Sequence, residues 1–159
     1  MRQADWFFDF ISPYAYLQFY QMGRLPDDVA VRFRPVLFAG LLNHWGQLGP
    51  AEIPAKKAHT FLLTRWRAQN LGLPFRPPPR HPFNPLTLLR LAIALDSEQA
   101  AIGTIFNHVW GDGHDGQGPE SLGRLADKLG VADLAAATSD ESVKHALHTN
   151  TAAAVEAGV

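Results

Sequence analysis

The most constraining feature of this chain is a junction near its start. Residues 4–11, ADWFFDFI, are dense in aromatic and apolar side chains and read as a buried strand, and Ser12-Pro13 follows at once. Serine as N-cap with proline at the first helical position is a strong helix start. Tyr14, Leu17, Tyr20 and Met22 then fall at helical spacing, which predicts a helix over residues 13–24, ended by Leu25-Pro26-Asp27-Asp28. Residues 29–37, VAVRFRPVL, alternate as a second strand with Arg32 and Arg34 on one face. A strand, a helix and a strand within 37 residues make a βαβ unit, so the strands should be parallel with a right-handed crossover.

The middle of the chain changes character. Residues 38–51, FAGLLNHWGQLGPA, read as a short helical stub and a Gly-rich turn. Residues 54–70 read as a helix, opened by Pro54 and closed at Asn70-Leu71-Gly72. Residues 74–82, PFRPPPRHP, hold five prolines and must be an extended loop. Further helices are predicted over 85–95, 98–110, 119–130 and 140–157, with Gly158 as the last helix's stop. The expected division is a βαβ half over 1–37, an inserted helical subdomain over 38–135 and a returning helix over 136–159.

Composition limits the chemistry. The 159 residues include 14 Lys plus Arg and 15 Asp plus Glu, a net charge of −1, with 47% apolar residues. A chain this long buries roughly 68–70% of its unfolded surface and needs no covalent staples. The missing basic excess argues against nucleic acid as a partner. No apolar run approaches the roughly 18 residues of a membrane span. The N-terminus MRQADWFFDF leads directly into a strand, which predicts a cytoplasmic chain without a signal peptide. Cysteine is absent, which excludes disulfides, thiolate metal sites and redox chemistry on the protein's own sulfur. His145 and His148, three apart on a helix, and His114 between Asp112 and Asp115 are weak metal signals without a third convergent ligand, and no metal is expected.

Ser12 carries the chemistry. Thiol–disulfide oxidoreductases place Cys-x-x-Cys where a first strand meets a first helix, often as Cys-Pro-Tyr-Cys, and stabilise a thiolate there. In Ser12-Pro13-Tyr14-Ala15 both cysteines are replaced. Such a site makes sense if the thiol arrives on a ligand and Ser12 donates a hydrogen bond to its thiolate. Serine is a poor nucleophile without an adjacent base, and no His or Lys neighbours it in sequence. The alternative reading is that Ser12 is an N-cap and nothing more.

Asp9-Phe10-Ile11-Ser12-Pro13-Tyr14-Ala15-Tyr16-Leu17 resembles the opening motif of the 2-hydroxychromene-2-carboxylate isomerases, relatives of the kappa-class glutathione transferases that share a DsbA-like thioredoxin fold. The resemblance continues through Gly46-Gln47-Leu48-Gly49-Pro50, Pro54-Ala55-Lys56, Phe83-Asn84 and Val109-Trp110-Gly111-Asp112-Gly113, with Asp115 and Leu122 beyond. It implies an α/β, thioredoxin-like chain with glutathione as the thiol. Ser12 would face the sulfur, Lys56 would approach a glutathione carboxylate, and Gln47 would stand where the family usually has Asn. Leu42, Trp45, Phe83 and Asn84 would line the pocket for a small aromatic carboxylate substrate. Leu42 stands where a compared isomerase has lysine, Glu52-Ile53 where it has an Asn-Arg pair, and Phe83 where the family has tyrosine, so fewer cationic groups are expected to face a carboxylate-bearing substrate.

The resemblance implies a homodimer and a glutathione-dependent cis-trans isomerase of aromatic enone acids. A kappa-type transferase and a non-catalytic thioredoxin-like binding module are the alternatives. The family's sequences continue beyond the position of Val159 with a cis-proline segment and further strands. A two-stranded sheet is marginal alone, so the expectation is that strands are missing from this stretch of chain.

Overall fold

The computed structural model describes Met1 to Val159. Strand β1, Arg2–Phe8, pairs in parallel with β2, Val29–Pro35, in the register Trp6↔Phe33 and Phe8↔Pro35. They form a two-stranded sheet. Between them lies helix α1, Pro13–Phe19, followed by a short 3-10 turn at Met22–Arg24. The predicted helix over 13–24 is thus a seven-residue α-helix and a separate turn. β1 also stops short of the expected residue 11, because the Asp9 side chain accepts a hydrogen bond from the Ile11 N–H at 3.0 Å and turns the chain. Arg32 and Arg34 do share a face: both donate to Asp5, at 2.5–2.7 Å and 3.0 Å.

The remaining elements are helical: α2 (Phe38–Trp45), α3 (Pro54–Leu71), α4 (Leu86–Ala94), α5 (Gln99–Phe106), α6 (Pro119–Lys128), α7 (Leu134–Ser139) and α8 (Glu141–Glu156). Pro54 and Pro119 open α3 and α6, and Gly72 closes α3 in the left-handed region at φ 67°. The expected stub after residue 37 is the two-turn helix α2. Helix α7 was not expected; Asp133 caps it, accepting from the Ala136 N–H at 2.8 Å. Helix α5 continues as a π-turn over Asn107–Gly111, which bends the backbone where Trp110 enters the core.

One aromatic core joins the sheet to the helices. Phe8, Phe10, Tyr16, Phe19, Phe106 and Trp110 are buried in one cluster. Trp110 donates through Nε1 to the Phe10 carbonyl at 2.8 Å, and Tyr16 donates its hydroxyl to the Pro74 carbonyl at 2.6 Å. Arg76 N–H donates to the Trp110 carbonyl at 2.7 Å, and Phe75 stacks on the Trp110 ring at 5.9 Å. These bonds hold the Pro-rich loop across the end of β1. On the sheet's other face α8 anchors the segment after β2: Arg34 donates to Asn150 at 3.1 Å and Leu37 N–H to Thr151 Oγ1 at 3.0 Å.

Candidate functional site

A cavity of about 550 Å³ opens where β1 ends. One wall is the turn from β1 into α1: Asp9, Ile11, Ser12, Pro13 and Tyr14. The opposite wall is α2 and the start of α3, with Leu37, Phe38, Leu42, Lys57 and Phe61. The rim between them carries Gly49 to Glu52 on one side and His81 to Leu86 on the other. Most of this lining is apolar, with a few polar groups converging, the usual character of a small-molecule site.

Ser12 caps α1. Its backbone is extended, at φ −91° and ψ 116°, and its Oγ accepts from the Ala15 N–H at 3.2 Å. An acceptor hydroxyl keeps its hydrogen, so Ser12 can donate into the cavity while it caps the helix. The two readings of Ser12 are therefore compatible. With α1 only two turns long, its dipole would add less to anion binding than a hydrogen bond from the hydroxyl.

The structure brings Ser12, Leu42, Phe83 and Asn84 together around this space. Phe83 is buried, whereas Asn84 is exposed and directs its Oδ1 to the Leu86 N–H at 3.0 Å, opening α4. Three other expected residues stand outside the lining. Trp45 is 49% exposed and donates to the Val159 carbonyl at 2.9 Å. Gln47 is exposed beyond Gly46, whose left-handed φ of 62° ends α2 and turns the chain away. Lys56 is exposed on the first turn of α3. The lysine that lines the cavity is its neighbour Lys57. Helix phase explains this: Lys57, Thr60 and Phe61 are at i, i+3 and i+4 on one face, and Lys56 is about 100° away.

Sequence reading also missed Asp9 and His81. His81 Nε2 lies 2.9 Å from the Ile11 carbonyl. A carbonyl only accepts, so Nε2 carries the hydrogen, and Nδ1 is left as a buried acceptor without a partner. Burial holds the His81 pKa below its ordinary value, the bond to Ile11 opposing this. Its backbone carbonyl accepts from Lys57 Nζ at 2.5 Å, and the peptide to Pro82 is cis. Its ring meets Phe61 edge-on at 5.1 Å and Trp110 at 5.5 Å. Asp9 is 4% exposed and accepts from the Ile11 N–H through Oδ1 and from the Phe38 N–H through Oδ2, at 3.0 and 2.9 Å. Desolvation outweighs these two bonds and pushes its pKa up to about 7. Asp9 stands within the opening motif itself, so its position was readable, although its burial was not.

The donor set suits a thiol-bearing peptide. It offers a hydroxyl hydrogen on Ser12, an ammonium on Lys57 for a carboxylate, and an unpaired acceptor on His81 for an N–H or S–H. The residues give no group of three metal-ligating side chains, and no helix is long and apolar enough to cross a membrane.

Comparison with known proteins places the chain among its relatives. Over 116 residues, 69% of this chain and 57% of the relative, it is 29% identical to a 2-hydroxychromene-2-carboxylate isomerase of Pseudomonas putida. Over 80 residues, 48% of this chain and 36% of the relative, it is 36% identical to glutathione S-transferase kappa 2 of Caenorhabditis elegans. The chain thus spans little more than half the length of the isomerase and about a third of the transferase. A solved structure of a 2-hydroxychromene-2-carboxylate isomerase superposes with a TM-score of 0.81, covering 99% of this chain and 81% of that one at 24% identity, which establishes the shared fold. The family model described as a DSBA-like thioredoxin domain matches residues 3–159. The chain belongs to the DsbA-like thioredoxin-domain family.

Proposed function

We propose that this chain forms the glutathione site of a glutathione-dependent isomerase acting on aromatic enone acids of the 2-hydroxychromene-2-carboxylate kind. The observation that carries the reading is a free serine hydroxyl hydrogen, at the position where thiol oxidoreductases keep a cysteine, in the wall of an apolar cavity in a cysteine-free chain. Glutathione, when bound, supplies the nucleophilic sulfur that makes a substrate double bond temporarily single.

The chain's own residues do the rest. Ser12 donates to the sulfur and favours its thiolate form. Phe38, Leu42, Phe61 and Phe83 exclude water and hold an aromatic ring against it. Lys57 is the one cation in the lining and takes the carboxylate role that the sequence assigned to Lys56. The kappa relative supports a second reading, transfer of glutathione to a neutral electrophile. It is favoured by the lining's single cation, since Lys57 cannot hold both a glutathione carboxylate and a substrate carboxylate. Incubation with glutathione and substrate, followed by product mass analysis, separates the two. Isomerisation leaves the substrate mass unchanged, transfer adds the tripeptide, and no reaction with either substrate class defeats both readings.

A further inference from the structure

Asp9 is a buried carboxyl at the cavity that the mechanism above does not use. It has no ion pair and only two hydrogen bonds, one backbone N–H to each oxygen. The charged groups around the same space are engaged elsewhere. Lys57 donates to the His81 carbonyl, Glu52 accepts from the Gly49 N–H at 2.6 Å, and His81 donates to Ile11. Tyr14 also lines the space, and Arg67 lies over its ring at 5.7 Å. Across the sheet, Arg34 is held by Asp5 and Asn150. No cation therefore compensates a charge on Asp9. An uncompensated carboxylate this deeply buried is costly, and retaining a proton is the cheaper state.

Asp9 and Ser12 belong to one turn: the Asp9 side chain holds the Ile11 N–H, and its carbonyl accepts from the Ser12 N–H at 3.1 Å. A proton store therefore sits three residues from the hydroxyl that faces the reacting sulfur.

Resting on the glutathione reading of the site, we propose that Asp9 is the proton donor and acceptor of the reaction. As negative charge develops on the substrate's carbonyl oxygen, the Asp9 O–H bond breaks and an O–H bond forms on that oxygen. When the double bond is restored the proton returns to Asp9, so the carboxyl ends as it began and no other reactant is consumed. The donor form is the protonated one, and turnover should fall as pH rises through about 7, the value to which burial pushes this group.

Carbon-13 NMR of the aspartate carboxyls in the intact protein, together with pH–rate profiles of wild type and Asp9→Asn, tests this. The expected result is one aspartate titrating near neutrality and a wild-type rate that declines across the same midpoint. The Asp9→Asn rate should be about a hundredfold lower and should lack the decline at that midpoint, keeping only the rise that follows the thiol's ionisation. The thiolate titration of bound glutathione should not move in the variant, which a general loss of structure would not spare. An Asp9 midpoint below about pH 5, or an Asp9→Asn enzyme with the wild-type profile, overturns the proposal. If Asp9→Asn does not fold, agreement or disagreement between the two wild-type midpoints decides. Wild-type turnover that ignores Asp9 defeats this proposal alone, whereas a wild type with no glutathione-dependent turnover defeats the site reading and this proposal with it.

Discussion

The wall of the cavity made by β1 and α1 and the wall made by α2 and the start of α3 face each other across one space but are held differently. Behind the first lie Phe8, Phe10, Tyr16, Phe106 and Trp110, all buried, with Trp110 and Tyr16 also hydrogen-bonded to backbone carbonyls. In the second, α2 rests on a small cluster of Val36, Leu41 and Ala154, and α3, which meets the aromatic core through Phe61 and Ala68, buries only Thr64 and Ala68 of its 18 residues. The groups proposed to react, Ser12 and Asp9, stand on the rigid wall, where small displacements are resisted. Phe38, Leu42 and Phe61, proposed to shape the substrate, stand on the lightly packed wall, where substitutions are tolerated. The proposed function would thereby separate chemistry from specificity in the fold.

Substitutions can break this contrast. Trp110→Ala removes the largest fully buried side chain and its bond to Phe10, and should cost about 3–5 kcal/mol in a denaturant melt. Leu42→Ala on the half-buried opposite wall should cost on the order of 1 kcal/mol; equal losses at the two positions would erase the distinction. Next in size, Ser12→Ala should lower turnover about a hundredfold while costing about 1 kcal/mol of stability through the lost cap.

Two buried groups tie the stability of the rigid wall to pH with opposite signs. His108, two residues before Trp110 in the same π-turn, has its Nε2 2.8 Å from Ser121 Oγ. Burial lowers its pKa to about 4, with His114 adding to the effect. A depressed histidine contributes stability that is complete above its unfolded pKa, about 6.5, and lost as pH falls through about 4. Asp9 has the opposite sign. Its raised pKa means its contribution is intact below about 3.8 and is lost as pH rises through about 7. Between about pH 4 and 6.5 the two slopes oppose each other, so the melting temperature should change little there, whereas a His108→Gln variant, left with the Asp9 slope alone, should melt lower steadily as pH rises from about 4 to 7.

The smallest expected effects lie on the lightly packed wall. Lys57→Gln should raise the KM for a carboxylate-bearing ligand roughly tenfold with little change in stability, and Lys56→Gln should do neither. Reversal of that pair would show that the cavity-facing register of α3 is misassigned.

What the sequence revealed follows the same division. The parallel strands, the Ser12-Pro13 helix start, the Pro54 and Pro119 openings and the Gly72 stop rest on local rules, and the structure has them. Leu42, Phe83 and Asn84 line the same cavity as Ser12, although the segments that carry them are far apart in sequence. Other features depend on contacts between distant segments. The π-turn exists because Trp110 must reach the Phe10 carbonyl, 100 residues away in sequence. His81 reads as part of a proline-rich loop until its ring is found against Ile11. The exchange of Lys56 for Lys57 turns on one residue of helical phase, finer than a motif can specify.

The account depends most on Ser12 holding a thiolate that glutathione provides. Ultraviolet titration of the thiol in the complex measures this directly. In the wild type the bound thiol should ionise at least about one pH unit below a free thiol, whose pKa is about 8.5, and in Ser12→Ala it should return toward that value. A bound thiol that titrates as it does in water, or that titrates identically with and without the hydroxyl of Ser12, would contradict the account.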